Sequence, residues 1–218
     1  MPFDVVTRNL DILAPGIGLT IVLSVASIAV GLGLGIIVAA SRMSRRVIPR
    51  LVSTSYVEIV RNTPLLVQLL LLYFGLPELG LRLSAIEATV VALSFNNGAY
   101  LGEIIRGGLQ SVPRGQIEAA AAIGLSQRTT YVQILLPLGL RSVVPAITNQ
   151  FILTILATSI ASVVGTPELT EQVLFIDSRA YRTIELLIFL TAAYAVLTLS
   201  VSVISRGISR RLDRAFQL

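Results

Sequence analysis

The stretch EAAAAIGLSQRTTYVQILLP, from Glu118 to Pro137, decides the fold. It is polar enough to sit in water, yet apolar spans lie on both sides of it. Gln116–Ile123 is rich in Ala and favours a helix. Gly124 suits the left-handed residue that closes such a helix. Ser126 can cap a second run, Gln127–Leu135, which should end before Pro137 because a proline disfavours helical backbone in the residue ahead of it. The spacing therefore predicts helix, tight turn, helix, held at one face of a membrane.

Working outward, the 218 residues suit one domain, 1–218. Hydrophobic residues make up 54% and charged residues 13%, with a mean hydropathy of +0.83, which places the chain in the membrane class. The net charge of +5 does not form a basic surface stripe. The arginines flank apolar runs and read as topology signals, so no nucleic-acid partner is expected. The chain has no Cys, His or Lys. A disulfide, a thiolate nucleophile, a Cys-based metal site, the usual zinc ligand and a Schiff base are all excluded. An ordinary Walker A loop needs its Lys on the phosphates, so any ATP that drives the process must be bound by another polypeptide.

Five spans are predicted, at about 12–41, 51–76, 85–105, 142–164 and 186–205, with an inside loop over 106–141. Residues 1–11 lack the basic region of a signal peptide, so the first apolar run is read as an uncleaved span. Twelve arginines fall in the segments assigned inside: 42, 45, 46, 50, 106, 114, 128, 141, 206, 210, 211 and 214. Four fall outside, at 8, 82, 179 and 182, which puts the N-terminus out and the C-terminus in. No internal repeat of the secondary-transporter kind is evident.

Several residues are chemically conspicuous inside these spans. Gly31 and Gly35 form a small-xxx-small pair, suited to packing within the chain or to a subunit contact. Glu58 and Arg61 stand at i, i+3 and can neutralise each other facing the bundle, or else line a gate or pathway. Pro64 should kink the second span unless Thr63 and its neighbours repair the backbone. Asn96, Tyr100 and Glu103 share one helical face, beside Asn97, and suit either hydrogen bonds between helices or contact with a polar substrate. The outside segment from Glu168 to Glu185 reads as a mildly acidic loop.

The order Glu118-Ala119-Ala120, three residues, Gly124, nine residues, Ile134, one residue, Leu136-Pro137 resembles the EAA loop of permease subunits of ABC-type importers. The run from Tyr56 through Glu58, Arg61, Thr63 and Pro64 to Gln68 resembles the second span of that family's polar amino acid branch. The runs Gly98–Gly108 and Ser111–Gln116 resemble its approach to the loop. Thr158-Ser159, Gly165 and Pro167-Glu168-Leu169 resemble its fourth span and outer segment. The resemblance implies an all-α polytopic membrane protein of the type I ABC importer permease fold, with a cytoplasmic coupling helix. It also implies a bacterial or archaeal cytoplasmic (inner) membrane, an amino acid substrate and a lipid surround. The implied partners are a second permease chain, identical or paralogous, two ATP-binding subunits and an external solute-binding protein. It implies no enzyme activity or directly bound cofactor in this chain, with ATP and Mg held by the ATPase subunits.

Coupling roles are implied for Gln116, Glu118, Ala119, Ala120, Gly124 and Ser126. Ala119 and Ala120 keep one face small, while Glu118 meets a donor on the ATPase or favours the positive end of its own helix. Substrate-pathway roles are expected for Glu58, Arg61, Asn96, Asn97, Tyr100 and Glu103, with Thr158 and Ser159 across the cavity. One departure stands out. Many members carry Lys-Asp before the Thr-Ser of the fourth span, where this chain has Leu156 and Ala157. Any charge-based role there is lost, as in the less engaged half of a heterodimer or a carrier of a different amino acid. A gradient-driven transporter or channel is the alternative that the charges at 58, 61 and 103 suit. A membrane enzyme lacks any evident nucleophile–base pair.

Overall fold

The computed structural model describes residues 3–215, with side chains described as far as residue 210. Arg211 and Arg214, counted above among the inside charges, therefore have side chains outside the described residues. Every regular element among the described residues is a helix.

A short α1 (Asp4–Arg8) leads into α2 (Leu10–Arg42), which carries Pro15 near its start. The second predicted span is not one helix. It is α3 (Val47–Arg61) and α4 (Leu65–Leu70), and α4 continues as a π turn (Leu71–Gly75) and a 3-10 turn (Leu76–Leu79). The two parts are bent by 105°. Pro64 causes the break, since it adopts extended backbone and cannot donate to the preceding turn. Gln68 covers the exposed carbonyls: its Nε2 donates to Val60 O at 2.8 Å, Thr63 O at 3.1 Å and Thr63 Oγ1 at 2.9 Å. Thr63 shares the repair, as foreseen for it and its neighbours, with its Oγ1 donating to Ile59 O at 2.9 Å, and together they seal the corner without straightening it.

Helix α5 (Ala85–Gln110) opens with a capping box between Ser84 and Glu87. The loop segment holds α6 (Arg114–Ala122) and α7 (Gln127–Thr130). Contrary to expectation, the helix does not stop before Pro137. It passes through a π turn (Tyr131–Leu135) into α8 (Leu136–Ala157), which ends in a 3-10 turn (Thr158–Val164). A proline ring clashes with the carbonyl four residues back, and a widened π turn relieves that conflict. The same device precedes Pro77, where the π turn at 71–75 again ends two residues before the proline.

The segment at 168–185, expected to be an outside loop, instead contains α9 (Leu169–Ala180), followed by α10 (Thr183–Ala215). Leu169, Val173 and Ile176 lie on one face of α9 and are buried against Leu13 of α2 and Leu186 of α10. Helices α2, α8 plus its flanks (127–164) and α10 are each long and apolar enough to cross a membrane, and the bent α3–α4 pair makes a fourth if counted as one. Helix α5, the predicted third span, does not pass that test, because its centre carries Ser94, Asn96 and Asn97.

The main seam joins α2 to α5. A Cβ on Gly31 would lie 2.7 Å from Asn97 Nδ2, and one on Gly35 would lie 2.7 Å from Leu101 Cβ. One on Gly98 would lie 2.8 Å from Leu34 Cβ. Numbers rise together on both helices, so they run parallel. The Gly31–Gly35 pair thus serves packing within the chain.

Candidate functional site

Three places carry the chemistry. The first is the exposed helical corner. Helix α6 closes in a Schellman turn: Leu125 N donates to Ala120 O and Gly124 N to Ala121 O, both at 3.0 Å, with Gly124 at φ +79°. Ser126 Oγ then accepts from Thr129 N at 3.1 Å and starts α7. Gln116, Glu118, Ala119, Gly124 and Ser126 are exposed, whereas Ala120 is buried at 2%. Ala120 therefore faces into the corner, toward α7 and the π turn that follows it, while its neighbours face outward. Glu118 is the fifth residue of α6, past the first turn where the helix dipole acts, and it makes no ion pair among the described residues.

The second is a cluster around Glu103. Arg106 grips this carboxylate with two bonds, Nε to Oε1 at 2.9 Å and Nη2 to Oε2 at 3.0 Å. Arg42, at the end of α2, donates to Oε1 as well. Arg61 approaches Oε2 at 3.9 Å and lies over the Tyr100 ring, 5.1 Å from its centroid. The foreseen Glu58–Arg61 pair is absent. Arg61 ends α3 and reaches across to α5, leaving Glu58 exposed at the wall of a cavity of about 330 Å³ that it shares with Arg42, Arg61, Asn62, Tyr100 and Glu103.

The third is a cavity of about 200 Å³ between α5 and α8, walled by Asn96, Tyr100, Gln150, Thr154 and Ala157 with three leucines. Asn96 and Tyr100 meet here, but their expected companions do not. Asn97 turns the other way into the α2–α5 seam, 1% exposed, with both amide atoms unpartnered. Thr158 is fully buried, donates to Ile155 O and lies 3.4 Å from the Tyr194 hydroxyl. Ser159 donates to Leu156 O.

Sequence reasoning missed Gln150 and Thr154 as cavity residues, although their i, i+4 spacing puts them on one face. It also missed the double use of Arg42 and Arg106, whose positions read only as topology charges. Glu168 was missed as well. It is fully buried as the N-cap of α9, where it accepts from Thr170 N and Glu171 N at 3.0 Å and from Tyr194 Oη at 2.9 Å. A Glu just after a Gly-Thr-Pro break was the available signal.

The family model described as binding-protein-dependent transport system inner membrane component matches residues 31–217. The chain belongs to this family. The permease is 36% identical to the glutamine transport system permease protein GlnP of Escherichia coli K12, across 97% of this chain and 99% of that one. It is 38% identical to the L-cystine transport system permease protein TcyB of Bacillus subtilis, across 98% and 92%. A solved structure described as an amino acid ABC transporter with histidines superposes with a TM-score of 0.89 at 36% identity, covering 97% of this permease and all of that chain. A chain of the MetNI methionine ABC transporter, at 21% identity and a TM-score of 0.72, shares the fold. Membership places the permease in transport rather than in catalysis, and the gradient-driven alternative falls with it.

Proposed function

We propose that this chain is the permease subunit of an ATP-driven, binding-protein-dependent importer of polar amino acids in a bacterial cytoplasmic membrane. It forms the substrate pathway with a second permease chain, receives substrate from an external binding protein and is driven by two ATPase subunits that hold ATP and Mg. The observation that carries this reading is the exposed α6–α7 corner, a two-helix knob that turns small residues outward. Such a knob can enter a groove on an ATPase, and movement of the groove then biases the pathway between two states. The amino acid class follows from the relatives' names and from the amide and hydroxyl groups at Asn96, Tyr100, Gln150 and Thr154.

Substitution at Gly124 tests the reading. At φ +79° any residue with a Cβ is strained by roughly 1–2 kcal/mol, least so Asn. Nothing lies within 4 Å of its Cβ position, so the penalty is local and the fold survives. Gly124→Asp adds a charge at the dock. In proteoliposomes containing the full complex, Gly124→Asp lowers ATP-dependent amino acid uptake at least about tenfold while the complex still purifies intact, whereas Gly124→Asn retains most of it. Unchanged uptake in Gly124→Asp removes the coupling role.

A further inference from the structure

Two cavities meet at one side chain. Tyr100 borders both the charged cavity of about 330 Å³ and the amide-lined cavity of about 200 Å³. The charges in the first are unequally used. Arg42 and Arg106 are bound to Glu103, which is thereby saturated. Arg61 reaches Glu103 only at 3.9 Å, makes no hydrogen bond among the described residues and has a side chain 43% exposed. Glu58 is exposed, and its carboxylate has neither hydrogen bond nor ion pair among the described residues. One turn of α3 thus presents a cation with free donors and an anion with free acceptors to the same space. Ionised groups within a membrane chain need partners or a wet cavity, and here the complementary partner is a zwitterion.

The second cavity has a different character. Asn96 and Gln150 contribute amides, Thr154 a hydroxyl, and no ionised side chain lines it. The Gln150 amide makes no hydrogen bond among the described residues, although the residue is only 7% exposed. Ala157 stands in the wall, and Leu156 precedes it, so nothing at these positions could neutralise a charged ligand. A charged side chain entering there would lose its water without compensation, whereas an amide or hydroxyl would find matching partners.

Resting on the import function proposed above, we propose that Arg61 and Glu58 hold the α-carboxylate and α-ammonium of a free amino acid. The substrate's side chain passes Tyr100 into the amide-lined cavity. The class selected is a neutral polar amino acid, with the two ends read by separate cavities.

The test uses the purified permease–ATPase complex without its binding protein, which would otherwise impose its own selectivity. Binding of L-glutamine, glutaminamide (no carboxylate), N-acetylglutamine (no ammonium), glutamate and arginine is measured by calorimetry. The wild type binds glutamine at least about tenfold more tightly than any of the others. Glu58→Gln abolishes the preference for glutamine over N-acetylglutamine, and Arg61→Gln abolishes the preference over glutaminamide. Each variant keeps the preference that the other one loses, which a general loss of folding would not. Glu58 is exposed and unpaired, so its variant carries the test if Arg61→Gln fails to assemble. Glutamine binding with both preferences intact in the variants overturns the subsite and leaves the import function standing. Preference for arginine or glutamate overturns the side-chain half. Absence of binding by every amino acid overturns the subsite, and absence of ATPase stimulation by every amino acid once the binding protein is restored overturns the import function itself.

Discussion

Glu168→Ala is expected to lower the stability of the purified complex by about 3–5 kcal/mol, read as a fall in melting temperature in detergent or nanodiscs. Glu168 is fully buried and stands where α2, the end of the 127–164 segment, α9 and α10 converge. Its carboxylate accepts from two backbone N–H groups in the first turn of α9 and from Tyr194 Oη, with Thr20 Oγ1 at 3.4 Å. Thr20 Oγ1 in turn accepts from Leu169 N at 3.1 Å, and Thr170 Oγ1 lies 3.1 Å from Tyr194 Oη. Truncation to Ala orphans several donors where water does not reach, and each orphan costs roughly 1–3 kcal/mol. Glu168→Gln keeps one carbonyl acceptor and is expected to fall between wild type and Ala.

The pH dependence has a definite sign. Burial raises the Glu168 carboxyl above its usual range, against the lowering pull of its hydrogen bonds to Thr170, Glu171 and Tyr194. The folded protein therefore holds this proton more tightly than the unfolded chain does. The resulting stability is present below the ordinary carboxylate value and is lost as pH rises through the folded value. Glu168→Gln has no proton to lose, so the gap in melting temperature between wild type and Glu168→Gln narrows as pH rises. A widening gap would show that the fold prefers the ionised form.

Gly108→Val is expected to prevent recovery of folded protein, with Gly108→Ala a milder lesion of about 1–3 kcal/mol. Gly108 lies where α5 crosses the start of α8. A Cβ there would come within 2.7 Å of Gly139 O, and Val143 Cγ1 stands closer still. The carbonyl belongs to a helix backbone that cannot rotate away, while Val143 can be shortened. Val143→Ala should thus recover part of the loss in Gly108→Ala but little in Gly108→Val. The neighbouring glycine supplies the control: nothing lies within 4 Å of a Cβ at Gly107, so Gly107→Ala is expected to be neutral or stabilising by up to about 1 kcal/mol. Membrane yield and melting temperature of these five variants check both halves. Equal behaviour of Gly107→Ala and Gly108→Ala would refute the close crossing.

What could be read before any coordinates was what short-range chemistry dictates. The Gly124 turn and the Ser126 cap involve residues within six positions of each other, and both form as expected. The break at Pro64 was legible for the same reason, but its 105° angle depends on what α4 packs against. Pro137 misled because a local rule met a tertiary demand. The helix had to continue into a buried span, and a π turn absorbed the conflict. Helix α9 was hidden by its acidic residues, although Leu169, Val173 and Ile176 carried its period. Among the site residues, sequence could place Asn96 and Tyr100 on one face, but it could not show that Asn97 points elsewhere. That depends on which neighbour α5 meets on each side. The Glu103 cluster joins α2, α3 and α5, and no spacing rule spans such separations.

The parallel course of α2 and α5 bears on how the chain is made. Two helices that run the same way cannot be joined by a short turn, so α2 waits while α3, α4 and the following turns emerge and cross. During synthesis its packing stripe, with Ser27, Gly31 and Gly35 buried in the finished protein, has no mate. Its carboxy-terminal Arg42 likewise lacks the Glu103 counter-charge until α5 has been threaded. The largest helix contact in the molecule thus closes late and over long range, and the interval before it closes is when a chaperone or insertase would find this stripe uncovered.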